Sequence, residues 1–292
     1  MSKHGRRQTV TSYPSVSLLP FMKKNRAARP ILQWLVATMF LARVATATDA
    51  AEWQLHSSHP PNKSGMWTYG IDLDAWMLAH DALRGEVHDF EWALETLLAQ
   101  RKPISRRQTR AMRRWWHGHL IHMRSHHRNE DKIVKAFIQQ RFAYPDFMET
   151  DHVQIERHLN IISGLIRWLA SARSNDERKE IIGRLQKVFQ RYVHQNLLAH
   201  LEAEEEIGIP LTRAFFTPKE VQRMTNRLAR NGPRVETGAI VHYVGVTKLN
   251  RAMQLQKAPL RRLMWIFILN PRHRYYRRHM LASLNIISRQ SR

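Results

Sequence analysis

Apolar residues recur at intervals of three and four positions between residues 70 and 215, which is the spacing of one face of a helix. The pattern predicts four long helices, at about residues 73–99, 105–142, 151–172 and 174–210. Ser105 and Ser174 each precede Gln or Glu by three positions, as in a helix capping box. Because the connections are short, we expect an all-α, up-down-up-down four-helix bundle in which successive helices are antiparallel neighbours.

A histidine interrupts the apolar stripe of each predicted helix, and in three helices a carboxylate follows four positions later. Positions four apart lie within about 40° of each other on a helix, so both side chains leave the same face. Buried ionisable groups are costly unless they are paired or bind a metal, and imidazole with carboxylate suits iron, manganese or zinc. The pattern therefore predicts that four helices enclose a metal pair. The residues are His80, His126 with Glu130, His152 with Glu156, and His200 with Glu204.

The sequence leaves two choices open within this set. On the second helix, His127 with Asp131 forms an equally spaced pair on a neighbouring apolar stripe. On the fourth helix, Glu205 competes with Glu204. Two further histidines lie about 6 and 10 Å before His126 along the helix axis, and we expect them in the core or beside the ligands. They are His122 and His119.

The order of these motifs resembles the hemerythrin-like family, the HHE cation-binding domain. The chain has H-x-x-x-R from His80, H-H-x-x-E-D from His126, D-H-x-x-x-E from Asp151, and H-L-x-x-E-E from His200 followed by a proline. The resemblance covers about residues 70–215, roughly half of the chain. It implies a non-haem centre of two irons, bridged by carboxylates and capped by histidines, with an O2-derived or hydroxide bridge between the metals.

The resemblance also implies a ligand set and a function. It favours His126 with Glu130 on the second helix, and binding or sensing of O2 or related small molecules. Oxygen carriers of the family have a second histidine where this chain has Glu156. This difference argues against reversible oxygen carriage. The alternatives are a di-iron oxidase that handles peroxide or nitric oxide, and a metal-free helical adaptor. The implied ligands are His80, His126, Glu130, His152, Glu156, His200 and Glu204.

The net charge of +23 lies in the two ends of the chain. Residues 49–210 hold 22 basic and 22 acidic side chains, whereas residues 211–292 hold 17 basic and 2 acidic ones. A neutral central region argues against a specific nucleic-acid binder. The absence of cysteine excludes disulfides, iron–sulfur clusters and thiolate ligands.

Four segments follow from these patterns. Residues 1–48 have 8 basic and no acidic side chains, and we expect a disordered leader for secretion or organelle import. Residues 49–69 read as a linker, and residues 70–215 as the bundle. Residues 216–292 form a basic helical extension, in which the segment at 238–244 fits a helix or a strand. Its apolar run at 263–269, flanked by arginines, either packs on the bundle or contacts an anionic membrane weakly.

Overall fold

The computed structural model describes residues 54, 55, 61, 63–258 and 260–289. Over these residues the protein is helical, with a single isolated bridge between Gln54 and Phe142, so the predicted all-α class is confirmed. The leader predicted at residues 1–48 lies outside the described residues. None of the helices in the described ranges is long and apolar enough to cross a bilayer.

Four long helices precede Phe216. We call them α1 to α4, and two of them contain π-helical turns. Helix α1 is Ala75–Ala99, and α3 is Asp146–Ser171. Helix α2 runs through Arg106–Asn129, the π segment Glu130–Val134 and Lys135–Ile138. Helix α4 runs through Asn175–Arg191, the π segment Tyr192–Leu197, Leu198–Ala203, the π segment Glu204–Gly208 and Ile209–Phe215.

Four more helices follow, α5 to α8. Helix α5 is Pro218–Asn231, α6 is Arg234–Val244 and α7 is Val246–Leu255. Helix α8 runs through Arg261–Met264, the π segment Trp265–Leu269, Asn270–Tyr276, the π segment Arg277–Leu281 and Ala282–Ser288. The segment that fitted either a helix or a strand is thus helical. Short 3-10 turns, Ser64–Met66 and Ile71–Leu73, precede α1.

The helix starts follow the capping chemistry of the sequence. Ser105 forms a full capping box with Gln108, and the Ser174 hydroxyl accepts a hydrogen bond from the Glu177 N–H. The predicted boundaries differ at three ends, one of which is the end of α2 at Ile138 instead of about residue 142. Helix α3 begins at Asp146, about a turn earlier than expected, because Pro145 fits just before a helix start. Helix α4 continues through Pro210, because a π turn accommodates the missing N–H.

The C-terminal helices pack into the same core as α1 to α4. Helix α4 packs against α1 and α3, α3 against α2, and α8 against both α1 and α2. Helix α6 packs on α1 and α8 and approaches α8 closely, since a Cβ on Gly238 would lie 2.6 Å from the Arg272 carbonyl oxygen. Val235 and Met280 are buried in one cluster with Phe90 and Trp115, whose rings stack at 4.0 Å. The extension therefore covers the helices that carry the histidines.

Candidate metal centre

Two groups of buried histidines and carboxylates lie between α1, α2, α3 and α4. In each group, one ligand atom per residue lies within 4.8 Å of every other. Every member is buried, and one glutamate belongs to both groups. The groups are His80, His126, Glu130 and Glu204, and His127, Glu130, His152 and His200.

Glu130 of α2 lies between the two groups. Its Oε1 is 3.0 Å from Nε2 of His126, and its Oε2 is 3.4 Å from Nε2 of His152. The two oxygens of one carboxylate thus face histidines of different groups. A carboxylate in this position can bind one metal ion through each oxygen.

Glu204 of α4 is arranged in the same way. Its Oε2 is 3.2 Å from Nε2 of His80, and its Oε1 is 3.6 Å from Nε2 of His200. The site therefore has two carboxylates, each with one oxygen toward each histidine group. This arrangement suits a pair of metal ions better than a single ion, because every oxygen then has a separate partner.

Three of the histidines have an outer carboxylate beside the ring nitrogen that faces away from the centre. Such a partner fixes the tautomer and directs the other nitrogen toward a metal. The Nδ1-to-oxygen distance is 2.7 Å for His80 and Glu205 and 3.0 Å for His152 and Asp131, and both pairs are hydrogen-bonded. His200 Nδ1 lies 3.5 Å from Asp151 and forms no hydrogen bond. Arg84 holds Glu205 by donating two hydrogen bonds, at 2.6 and 2.8 Å.

The inward-facing atoms of the centre have no hydrogen-bond partner in the protein. They are buried, and leaving such groups unpaired is costly. A cation would satisfy all of them at once, and nitrogen and carboxylate donors fit a transition metal. The two groups could therefore hold metal ions. The atoms are Nε2 of His80, His126, His127, His152 and His200, and both side-chain oxygens of Glu130 and Glu204.

Burial and mutual repulsion shift the ionisation of these side chains. Burial, reinforced by the charge of Glu204, raises the pKa of Glu130 well above its usual value. Burial and neighbouring histidines lower the pKa of His126 and His127 well below theirs. The neutral imidazole is the form that binds a metal, so two of the histidines are held ready for binding.

Glu130 and Glu204 are each the first residue of a π-helical turn. The Lys135 N–H donates to the Glu130 carbonyl, and the Ile209 N–H donates to the Glu204 carbonyl, five residues back in each case. In α4 the sequence supplies a reason, because Pro210 has no N–H and its ring would clash with the carbonyl four residues earlier. Single π turns inside α-helices are frequent at functional sites.

The structure places the predicted ligand Glu156 outside both groups. The side chain is 40% exposed, and its Oε1 accepts a hydrogen bond from Arg124 at 2.7 Å. It lies one turn beyond His152 along α3, on the surface that α3 shares with α2, and belongs to neither group. The spacing places Glu156 on the same face of α3 as His152. It does not show that this face is exposed to solvent one turn beyond His152.

His127 belongs to the centre, although the sequence analysis treated it as an alternative to His126. Glu130 belongs to both groups and lies between them. The two neighbouring histidines of α2 therefore belong to different groups, His126 to that of His80 and His127 to that of His152. Asp131 and Glu205, the competing acids, lie behind His152 and His80 instead. The sequence signal for His127 was Asp131, four residues later, and that acid lies beside His152 rather than in either group.

A second buried cluster lies on the same side of α2, nearer its start. Glu86 Oε2 accepts hydrogen bonds from Nδ1 of His119 at 2.9 Å and of His122 at 3.0 Å. Burial alone would raise the pKa of Glu86, but His122 and His119 lower it to about 2. The other ring nitrogen of His119 lies 2.9 Å from the Tyr192 hydroxyl. These histidines lie in the core, as expected.

No protein-family model, curated protein or solved structure matches the chain.

Proposed function

We propose that the protein is a hemerythrin-like metal protein in which α1 to α4 form a four-helix bundle around two non-haem irons. We further propose that it binds or senses O2 or a related small molecule. One observation carries the proposal. Two carboxylates each present one oxygen to each of two histidine groups, and the facing atoms are buried without hydrogen-bond partners.

The donor set supports iron as the resident metal. Each group offers four nitrogen and oxygen donors, and non-haem iron sites combine histidines and carboxylates with positions left open for a ligand. When bound, such a pair supplies one-electron redox chemistry and binding positions for O2, peroxide or nitric oxide. The chain holds the histidine tautomers through Glu205 and Asp131 and encloses the site in its core.

Metal analysis with an optical spectrum tests the proposal. Protein purified without added metal and reconstituted with Fe(II) should hold close to two irons per chain and show a visible charge-transfer band after exposure to O2. His126→Ala and His200→Ala should each lower the iron content to less than one per chain. The matched control is His158→Ala, at a partly exposed histidine of α3 that belongs to neither group, and it should keep two. Equal iron content in all four proteins would refute the centre.

The alternative is an oxidase that handles peroxide or nitric oxide at the same centre. It is favoured by a cavity whose wall includes His126 and Glu130, because an enzyme needs room for a reactant beside the metals. Catalytic loss of peroxide or nitric oxide by the iron-loaded protein, absent from the His126→Ala variant, would select the oxidase. Stoichiometric, reversible binding without turnover would select the sensor.

A further inference from the structure

A cavity of about 230 Å³ separates the candidate metal centre from the C-terminal helices. One wall includes His126 and Glu130 of the centre, together with the first turns of α1. The opposite wall comes from α5, α6, α7 and α8. The cavity as a whole is lined mainly by aliphatic and thioether side chains, including Val134, Met224, Ile240, Leu249, Met253 and Leu269.

Twelve of the 28 lining residues carry a polar side-chain group, and several of these groups already bond to protein. Asp74 accepts hydrogen bonds from Arg213, and the side-chain amide of Gln256 donates to the Leu73 carbonyl at 2.9 Å. Buried polar atoms of Trp76 and Glu236 have no partner. A mainly apolar pocket with a few free polar groups is the usual character of a small-molecule site.

We propose that this cavity binds a small, mainly apolar organic molecule that carries one hydrogen-bonding group. An apolar cavity of about 150 Å³ accepts benzene, so by proportion this cavity accepts about nine non-hydrogen atoms. The inference deepens the proposed function and rests on it, since the bound molecule would lie against the His126 and Glu130 wall. The C-terminal extension then has a role of its own, because it forms the half of the site that selects the molecule.

Calorimetric titration with 2-phenylethanol, which has nine non-hydrogen atoms, tests the binding step on the full chain. Ala252→Phe fills the cavity from a fully buried position, and Ala229→Trp narrows it from an exposed one that leaves the core intact. Each should raise the Kd at least tenfold. Ala170→Trp, at an exposed alanine of α3 outside the lining, is the matched control and should leave the Kd unchanged. No binding to the native chain, or equal loss in Ala229→Trp and Ala170→Trp, overturns the inference.

Proton relaxation of the same probe separates this inference from the metal proposal. With Co(II) in place of iron, the probe signals should broaden strongly, whereas Zn(II)-loaded protein should bind the probe without broadening. Binding that is unaffected by either metal, in protein that retains none, would refute the centre and leave the cavity site standing. Two metals per chain with no probe bound would refute the cavity site alone.

A different observation supports a second inference, about the surface of α8. Leu260 and Phe267 are each 71% exposed, and Leu263 and Ile266 are 45% and 48% exposed. Exposed large apolar side chains in one short stretch mark an interaction surface. Arg261 and Arg262 lie exposed between them, within a tail that holds 17 basic and 2 acidic residues.

We infer that this face of α8, from Leu260 to Phe267, docks on an anionic lipid bilayer. Apolar side chains beside arginines are the composition of a segment that lies in the membrane interface. The full chain should sediment with vesicles of phosphatidylserine and phosphatidylcholine but not with phosphatidylcholine alone. Ile266→Glu should weaken this binding at least tenfold, and Ile161→Glu, at an isoleucine of α3 that is 52% exposed, should not. Absence of sedimentation, equal loss in both variants, or displacement from the vesicles by RNA would overturn the inference.

Discussion

The two buried clusters on the inner face of α2 use the same residue types to different ends. In the first, Glu86 accepts hydrogen bonds from His119 and His122, and its Oε2 is satisfied within the protein. In the second, one turn further along, Glu130 faces His126 and His152 with both oxygens unpartnered. Glu86 Oε1 and His122 Nε2 of the first cluster also lack a partner, but both ring nitrogens of His119 are satisfied there, whereas in the second cluster every atom that faces inward is unpaired. The difference is therefore one of degree, and the second cluster is the one in which a metal ion could satisfy all of the inward-facing atoms.

The largest effect on this comparison is expected from Glu130, which belongs to both histidine groups. Glu130→Gln removes the anion that faces both histidine groups, so the iron content should fall from about two per chain to nearly none. Glu86→Gln, a matched change of a buried glutamate beside two histidines, should keep both irons. Elemental analysis of the two reconstituted variants measures this. Iron loss in Glu86→Gln but not in Glu130→Gln would reverse the assignment of the two clusters.

Glu86 should instead contribute to the free energy of unfolding. Its replacement by Gln leaves His119 and His122 buried without a negative partner, which costs about 3–5 kcal/mol when a buried pair is broken. Denaturant unfolding of iron-free native and variant protein at pH 7 measures the loss. A difference below about 1 kcal/mol would show that the pair contributes no more than an exposed salt bridge.

The same variant has a defined pH dependence. The folded pKa of Glu86, about 2, lies below its ordinary value of 4.5, so its stabilising contribution is complete above pH 4.5 and is lost as the pH falls toward 2. The groups that face Glu86 are His119 and His122 from α2 and Tyr276 from α8. The gap in unfolding free energy between native and Glu86→Gln protein should shrink across that window. A gap that is constant between pH 6 and pH 3 contradicts the assignment.

A smaller effect is expected at the outer carboxylates. Glu205→Gln weakens the partner of His80 Nδ1, and loss of such a partner typically lowers metal affinity by about 10–100-fold. Glu202→Gln, at an exposed glutamate of the same helix, is the control and should leave the affinity unchanged. Competition with a chelator of known affinity measures both. Identical affinities would remove Glu205 from the site.

The smallest effect is expected at Glu156. Its pair with Arg124 is partly exposed, so Glu156→Gln should cost less than about 1 kcal/mol and leave the iron content at its native value. Denaturant unfolding and elemental analysis together test this. Loss of iron would return Glu156 to the ligand set and contradict the position of its side chain.

The sequence predicted the helices and the histidines better than the depth of each side chain. Spacing and capping residues located α1 to α4, and one histidine per helix pointed to the centre. Spacing could not show that Glu156 lies at the surface, because the position of a residue around its own helix does not show which side chains of neighbouring helices lie opposite it. Nor could it show that His126 and His127 both take part, since that depends on Glu130 lying between two groups.

The packing of the C-terminal helices could not be predicted from the sequence for a similar reason. The apolar run at 263–269 was expected to pack on the bundle or to meet a membrane, and in the structure its side chains are divided between the core and the surface. Leu269 and Met280 are buried, whereas Phe267 is exposed. An amphipathic pattern shows which apolar side chains gain from burial, but the tertiary packing determines which of them are buried and against what. The cavity depends on this packing as well.

The π turns at Glu130 and Glu204 affect which mutations the site can tolerate. Such a turn contains one residue more than the α turn it replaces, so everything after it is rotated by about 100° relative to an uninterrupted helix. In α4 that rotation positions Ile209 and Phe215, both buried, without moving His200. A single-codon deletion after Glu204 would therefore misalign the far end of α4 while sparing every ligand. Descendants of this gene should tolerate substitutions in these turns more readily than changes in their length.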